Sequence, residues 1–207
     1  MKFLAAVATA AAVAVAAPAA AATTFQLDTD PSNTFVIVTS NPASCIFGSC
    51  ALGATLATPF PAFSLNVGES RTFDFARLTV SSGFGVASAT LDAQIGFVLP
   101  AAGPASTGGS ASYVRAGGLF TPGVLGGSLT WDTPTQQITA ANGHRFTVSF
   151  GNLSGAQFGS NVAVPVTITL DAVPEPAAWA LMIVGFGAIG GAARAARRSG
   201  DRAIAAA

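Results

Sequence analysis

Charge is scarce in this chain: only 9% of its residues are Asp, Glu, Lys or Arg. Lys2 is the sole lysine, His144 the sole histidine, and Cys45 and Cys50 are the only cysteines. Each scarcity excludes something. Between residues 23 and 172 there is no lysine and no arginine stripe, so the footprint that nucleic acid requires is missing. A single histidine permits one Ser-His-Asp triad at most, and no Gly-x-Ser-x-Gly elbow accompanies it. Two cysteines without neighbouring His or Cys ligands do not make a zinc site. No cofactor or metal is expected.

Residues 23 to 172 are enough for one domain with its own core. Seven acids (Asp28, Asp30, Glu69, Asp74, Asp92, Asp132, Asp171) face four arginines (Arg71, Arg77, Arg115, Arg145) there, a net charge of about −3. Strand patterns dominate. Ala87, Ala89, Leu91, Ala93, Ile95, Phe97 and Leu99 form one apolar phase, interrupted by Val98. Phe146, Val148 and Phe150 form another, and Val162, Val164, Val166, Ile168 and Leu170 a third. Shorter signals lie at Phe35 to Val38, Phe63 to Val67 and Phe73 to Val80. A period of two reads as half-buried strands. Pro165 cannot donate to a ladder, which places the last strand at a sheet edge. Asn142-Gly143 reads as a hairpin turn. Pro100 to Gly109 and Gly117 to Gly127 are Gly/Pro/Ser-rich and read as loops. The expected fold is all-β, an antiparallel sandwich of jelly-roll type, with a β-barrel as the alternative.

The two ends differ from the body. Met1-Lys2 opens with positive charge, Phe3 to Ala17 is apolar, Pro18 breaks the run, and Ala19 to Ala22 are small. This is the pattern of a Sec signal peptide, residues 1–22, with cleavage expected after Ala22. At the other end, 18 residues between Glu175 and Arg194 carry no charge. As a helix they would cover about 27 Å, close to the bilayer's hydrocarbon thickness of about 30 Å. Trp179 suits one headgroup layer, and Arg194, Arg197 and Arg198 favour the cytoplasmic side. Pro174 and Pro176 hold the preceding chain extended. A single transmembrane helix with its arginines inside is expected, so that nearly all the rest lies outside the cytoplasm.

The segment Val173-Pro174-Glu175-Pro176-Ala177-Ala178-Trp179-Ala180, followed by an aliphatic run with Gly185-Phe186-Gly187 and then arginines, resembles the PEP-CTERM sorting signal. It is similar to the variant written PEPxxWA. The resemblance covers residues 173–198 and assigns nothing to 199–207. It implies recognition by exosortase, a membrane cysteine transpeptidase-like enzyme of Gram-negative bacteria. It also implies transient residence in the inner membrane, cleavage near Pro174-Glu175-Pro176, and delivery to the cell surface or extracellular polymer. Pro174, Glu175, Pro176, Trp179 and Ala180 become the processing residues and Arg194, Arg197 and Arg198 the stop. A biofilm and exopolysaccharide setting, with polysaccharide as a partner, is implied in the same way.

Within the body, Cys45 and Cys50 are expected to pair in an oxidising compartment. Asp28-Thr29-Asp30-Pro31-Ser32-Asn33 spaces its oxygens like some calcium loops but lacks the Gly and distal Glu of an EF-hand, so a solvated turn is favoured. Asp74 and Asp92 could act together on a glycoside only if the fold joined them. Trp131 could stack on a sugar, but packing in the core or at its rim is favoured. His144 reads as an exposed turn residue. The expected function is that of an exported noncatalytic surface or matrix protein; the alternative is a secreted carbohydrate-binding module or hydrolase.

Overall fold

The computed structural model of the chain describes residues 22–81, 83–118, 121–155, 161–174, 180–191 and 194, and for 115–125 the backbone alone. The expected signal peptide, up to residue 21, lies outside the described residues. One compact unit is Ala21–Pro174. It is mostly antiparallel β, as the period-two patterns require.

The strands are β1 (Thr23–Leu27), β2 (Phe35–Ser40), β3 (Ala43–Phe47), β4 (Leu52–Leu56), β5 (Phe63–Leu65), β6 (Ser70–Val80) and β7 (Phe84–Leu99). They continue with β8 (Ala102–Gly118), β9 (Thr121–Trp131), β10 (Thr135–Thr139), β11 (Arg145–Phe150), β12 (Leu153–Gly155) and β13 (Asn161–Ala172). One eight-stranded sheet runs β12-β9-β8-β7-β1-β5, with β2 and β3 also pairing β7. The other runs β10-β11-β13-β6-β4. β7, β8 and β9 lie side by side in chain order, a meander.

Alternation decides which side chains meet in the core. Every second residue from Ala87 to Phe97 is buried, as are Phe146, Val148 and Phe150 and the valine-isoleucine-leucine phase of β13. Both sheets contribute to one cluster. Its aromatic centre is Phe146, edge-on to Phe25 at 5.2 Å and to Phe97 at 4.9 Å between ring centroids. Leu99 breaks the phase that the sequence extends to it: it is exposed, as is Val98.

Two expectations fail for physical reasons. β13 is central, flanked by β11 and β6, although it contains Pro165. Pro165 O accepts Gly151 N–H at 2.8 Å, so its backbone faces the β11 side just past the last ladder pair, Phe150–Val166, and Gly151 O takes the Trp131 Nε1–H instead of a backbone donor; the register with β6 shifts at the same point. The Gly-rich stretches 100–109 and 117–127 are largely strand, not loop: β8 pairs β7 from Ala102 to Arg115 and β9 from Gly109 to Gly118. Glycine here makes room. A Cβ on Gly109 would lie 2.5 Å from the Trp131 ring across the ladder, so the indole occupies the volume that a side chain would need.

Candidate functional site

The segment singled out in the sequence begins where β13 ends. The ladder's last pair is Arg145–Ala172, in the hairpin that β11 forms with β10. The expected turn at Asn142-Gly143 is present, and Gly143 alone uses a left-handed backbone, at φ 81°. Gly143 N–H donates to Ala140 O at 2.9 Å and Ala140 N–H to His144 O at 2.8 Å. Asn142 Oδ1 accepts the His144 backbone N–H at 3.2 Å.

Two residues leave the sheet before the unit stops. Val173 is half-buried and packs against the core. Pro174 lies over the turn: a Cβ on Gly143 would stand 2.8 Å from Pro174 Cγ. The compact unit ends at this proline. No spacer separates the body from Pro174-Glu175-Pro176. Glu175, Pro176 and Trp179 lie outside the described residues, as do Arg197 and Arg198.

Residues 180–191 are helical, and Arg194 is helical as well. Every described residue there is exposed, including Leu181, Met182, Ile183, Val184, Phe186 and Ile189. Among the described residues no helix is long and apolar enough to cross a membrane.

The other candidates separate cleanly. Cys45 and Cys50 form the expected disulfide, with their Cα atoms 5.9 Å apart. The loop it closes presents Ile46 and Phe47 to solvent, 76% and 73% exposed, which the sequence did not flag as surface. Trp131 belongs to the core: it is 2% exposed, and its Nε1–H donates to Gly151 O at 3.1 Å. No sugar platform exists at that residue. His144 is half-buried rather than exposed, with Nδ1 2.9 Å from Thr23 Oγ1.

Carboxylates in Asp28 to Asn33 serve their own turn. Asp28 Oδ1 accepts Asp30 N–H at 2.9 Å, and Asp28 Oδ2 accepts Asn33 Nδ2–H at 2.8 Å. Asp30 Oδ1 accepts both Ser32 Oγ–H at 2.7 Å and Ser32 N–H at 2.8 Å. The Ser32 side chain, then its backbone, hold the Asp30 carboxyl below its ordinary pKa. Among the described residues, no group of three or more His, Cys, Asp or Glu is placed to hold a metal.

Asp74 and Asp92 are not brought together. Asp74 lies in β6 beside Arg77, at 3.8 Å, whereas Asp92 lies in β7 of the other sheet. The structure instead places Asp92 near Asp132, a pairing that only the β7-β8-β9 register creates. A Cβ on Gly108 would lie 2.7 Å from Asp132 Oδ2 and 3.6 Å from Asp92 Oδ1. No spacing in the sequence signals that neighbourhood, because it depends on two hairpin registers at once.

Comparison with known proteins bears on the tail alone. A family model, the PEP-CTERM protein-sorting motif, matches residues 172–198. The match begins at the last residue of β13 and includes the Gly143-seated Pro174. Neither a curated protein nor a solved structure matches the chain. The chain carries a PEP-CTERM sorting motif, which indicates an extracellular protein sorted by exosortase.

Proposed function

We propose that this is a noncatalytic surface or matrix protein, exported through the Sec pathway of a Gram-negative bacterium and matured by exosortase. One observation carries the reading: the PEP-CTERM match at 172–198 starts directly at the end of a folded β body. The tail acts as a handle. Its charge-free stretch enters the inner membrane as a transient helical span, and Arg194, Arg197 and Arg198 hold it at the cytoplasmic face. The exposed apolar residues of 180–191 support this role, since such a surface calls for apolar surroundings. Pro174, Glu175, Pro176, Trp179 and Ala180 are then the residues that exosortase reads.

The body is cargo in this reading. We take its two sheets, which share one core, as a jelly-roll-like sandwich. Two observations support a noncatalytic role. His144 is engaged by Thr23, and Asp74 and Asp92 belong to different sheets. Extracellular polysaccharide is the partner, in an exopolysaccharide or biofilm setting. With Trp131 in the core, that contact uses other residues of the body.

The test is expression of the full chain with and without an exosortase, followed by intact mass of the exported product. The expected result is loss of the C-terminal tail only when the enzyme is present. Glu175→Ala should leave the unprocessed precursor in the membrane fraction. An intact tail in both strains, or normal maturation of Glu175→Ala, would refute the assignment.

A further inference from the structure

We propose that the folded body competes with the processing enzyme for Pro174, so that the Ala140–His144 turn is a seat that slows release of the sorting motif. The inference rests on the exosortase reading above but concerns a contact within the body. Pro174 is the first residue of Pro-Glu-Pro and also the last residue of the compact unit. Its ring lies against Gly143, at the one position of the hairpin turn where φ is positive and any side chain would collide with the proline.

The seat is braced from several sides. Ala141 N–H donates to Ala101 O at 2.8 Å, tying the turn to the start of β8. His144 Nδ1 meets Thr23 Oγ1 at 2.9 Å, tying it to β1. Val173 anchors the approach by packing on the core. The motif therefore leaves a turn tied to two neighbouring strands, and Glu175 follows the seated proline directly in sequence.

A processing enzyme grips an extended segment through the backbone and alternate side chains on both sides of the bond it cuts. Val173 is half-buried on the core, and Pro174, exposed on its outer side, rests its ring on Gly143, so neither can be gripped from every side while seated. Exosortase must capture the fraction of molecules in which the proline has lifted. Its apparent affinity is then reduced by that fraction.

The experiment is a pulse-chase in cells that carry an exosortase, following conversion of the membrane precursor to the processed product. Six residues, Gly-Ser-Gly-Ser-Gly-Ser, are inserted between Ala172 and Val173 in one variant, which keeps Val173 to Ala180 in order but frees them from the body. A second variant, Gly143→Ala, displaces the proline from the turn. Formation of the Cys45–Cys50 disulfide and protease resistance of the body report folding in each. Insertion should shorten the conversion half-time about five-fold, equivalent to about 1 kcal/mol of seating. Gly143→Ala should shorten it in the same direction. Equal half-times for wild type and a folded insertion variant would overturn the seat while leaving the sorting reading intact. No conversion of the wild type would overturn both.

Discussion

At the scale of single residues, the turn before β6 shows how an exposed carboxylate can matter to stability. Glu69 Oε2 accepts the Asn66 backbone N–H at 2.8 Å. Its own carbonyl accepts Leu170 N–H at 3.0 Å, and Gly68 N–H donates back to Leu170 O at 2.8 Å. The Asn66 backbone N–H, with the Asn66 side chain second, holds the Glu69 carboxyl below its ordinary pKa. Because the folded value is the lower one, this contribution is fully present above the unfolded value of about 4.3. It is lost as pH falls through the folded value. Glu69→Gln should therefore flatten the acid limb: between pH 7 and pH 3 the urea midpoint should fall less in the variant than in the wild type. Equal falls would remove the carboxylate from the account. Asp30 contributes in the same direction through Ser32 and remains in both proteins.

Residue-level signals were unevenly readable. Phe146 and Val148 declared themselves core by alternation, and Cys45 and Cys50 declared their bond by proximity and compartment. Trp131 leaned toward the core in the sequence, and the structure puts it there. The choice is made by Gly109 across the ladder, whose missing side chain admits the indole, and by Gly151 O, which accepts its N–H. Both partners are distant in sequence, and nothing local to Trp131 announces them. The same holds for the Asp92–Asp132 neighbourhood and for Pro174 on Gly143.

At the scale of elements, composition misled where pairing took over. Gly, Pro and Ser in 100–109 and 117–127 read as loop because these residues are depleted from strands. β8 and β9 form nonetheless, since β7 offers a long ladder and the small residues admit large neighbours from across it. Pro165 misled in the opposite sense, because its missing N–H falls just past the end of the β11 ladder, where a central strand can carry it. The hairpin β10-β11 was legible, since Asn142-Gly143 is a strong local signal and Gly143 takes the left-handed conformation it allows.

The disulfide element permits a quantitative prediction. Cys45, in β3, and Cys50, just before β4, are separated by 5 positions. Closing so short a loop removes denatured-state entropy worth about 2 kcal/mol in the chain-entropy estimate. Cys45→Ser with Cys50→Ser should lower the body's Tm by roughly 4–8 °C at this size. Differential scanning calorimetry under non-reducing conditions measures it. Unchanged Tm would mean that the bond constrains nothing the fold does not already fix. The exposure of Ile46 and Phe47 on this loop makes such an outcome informative, since little apolar burial there compensates for the lost link.

At the scale of the whole molecule, address and body meet at one short stretch, Ala172-Val173-Pro174. The tail's sorting motif was legible from a local pattern, whereas the body offers no comparable local motif from which to read an activity. What the structure adds is where the folded unit stops. It stops at Pro174, inside the sorting motif, not before it. Two soluble versions of the body distinguish a seated end from a loose one: residues 23–174 and residues 23–172. Half-burying one valine is worth about 1 kcal/mol in apolar area, and the proline's contact with the turn adds to it. The shorter version should melt roughly 2–4 °C below the longer, with both retaining a single cooperative β transition by circular dichroism. Identical melting would show that Val173 and Pro174 contribute nothing to the body. A lower Tm for the shorter version would mean that part of the sorting signal is also structural, so that any enzyme pulling on Pro174 works against the fold.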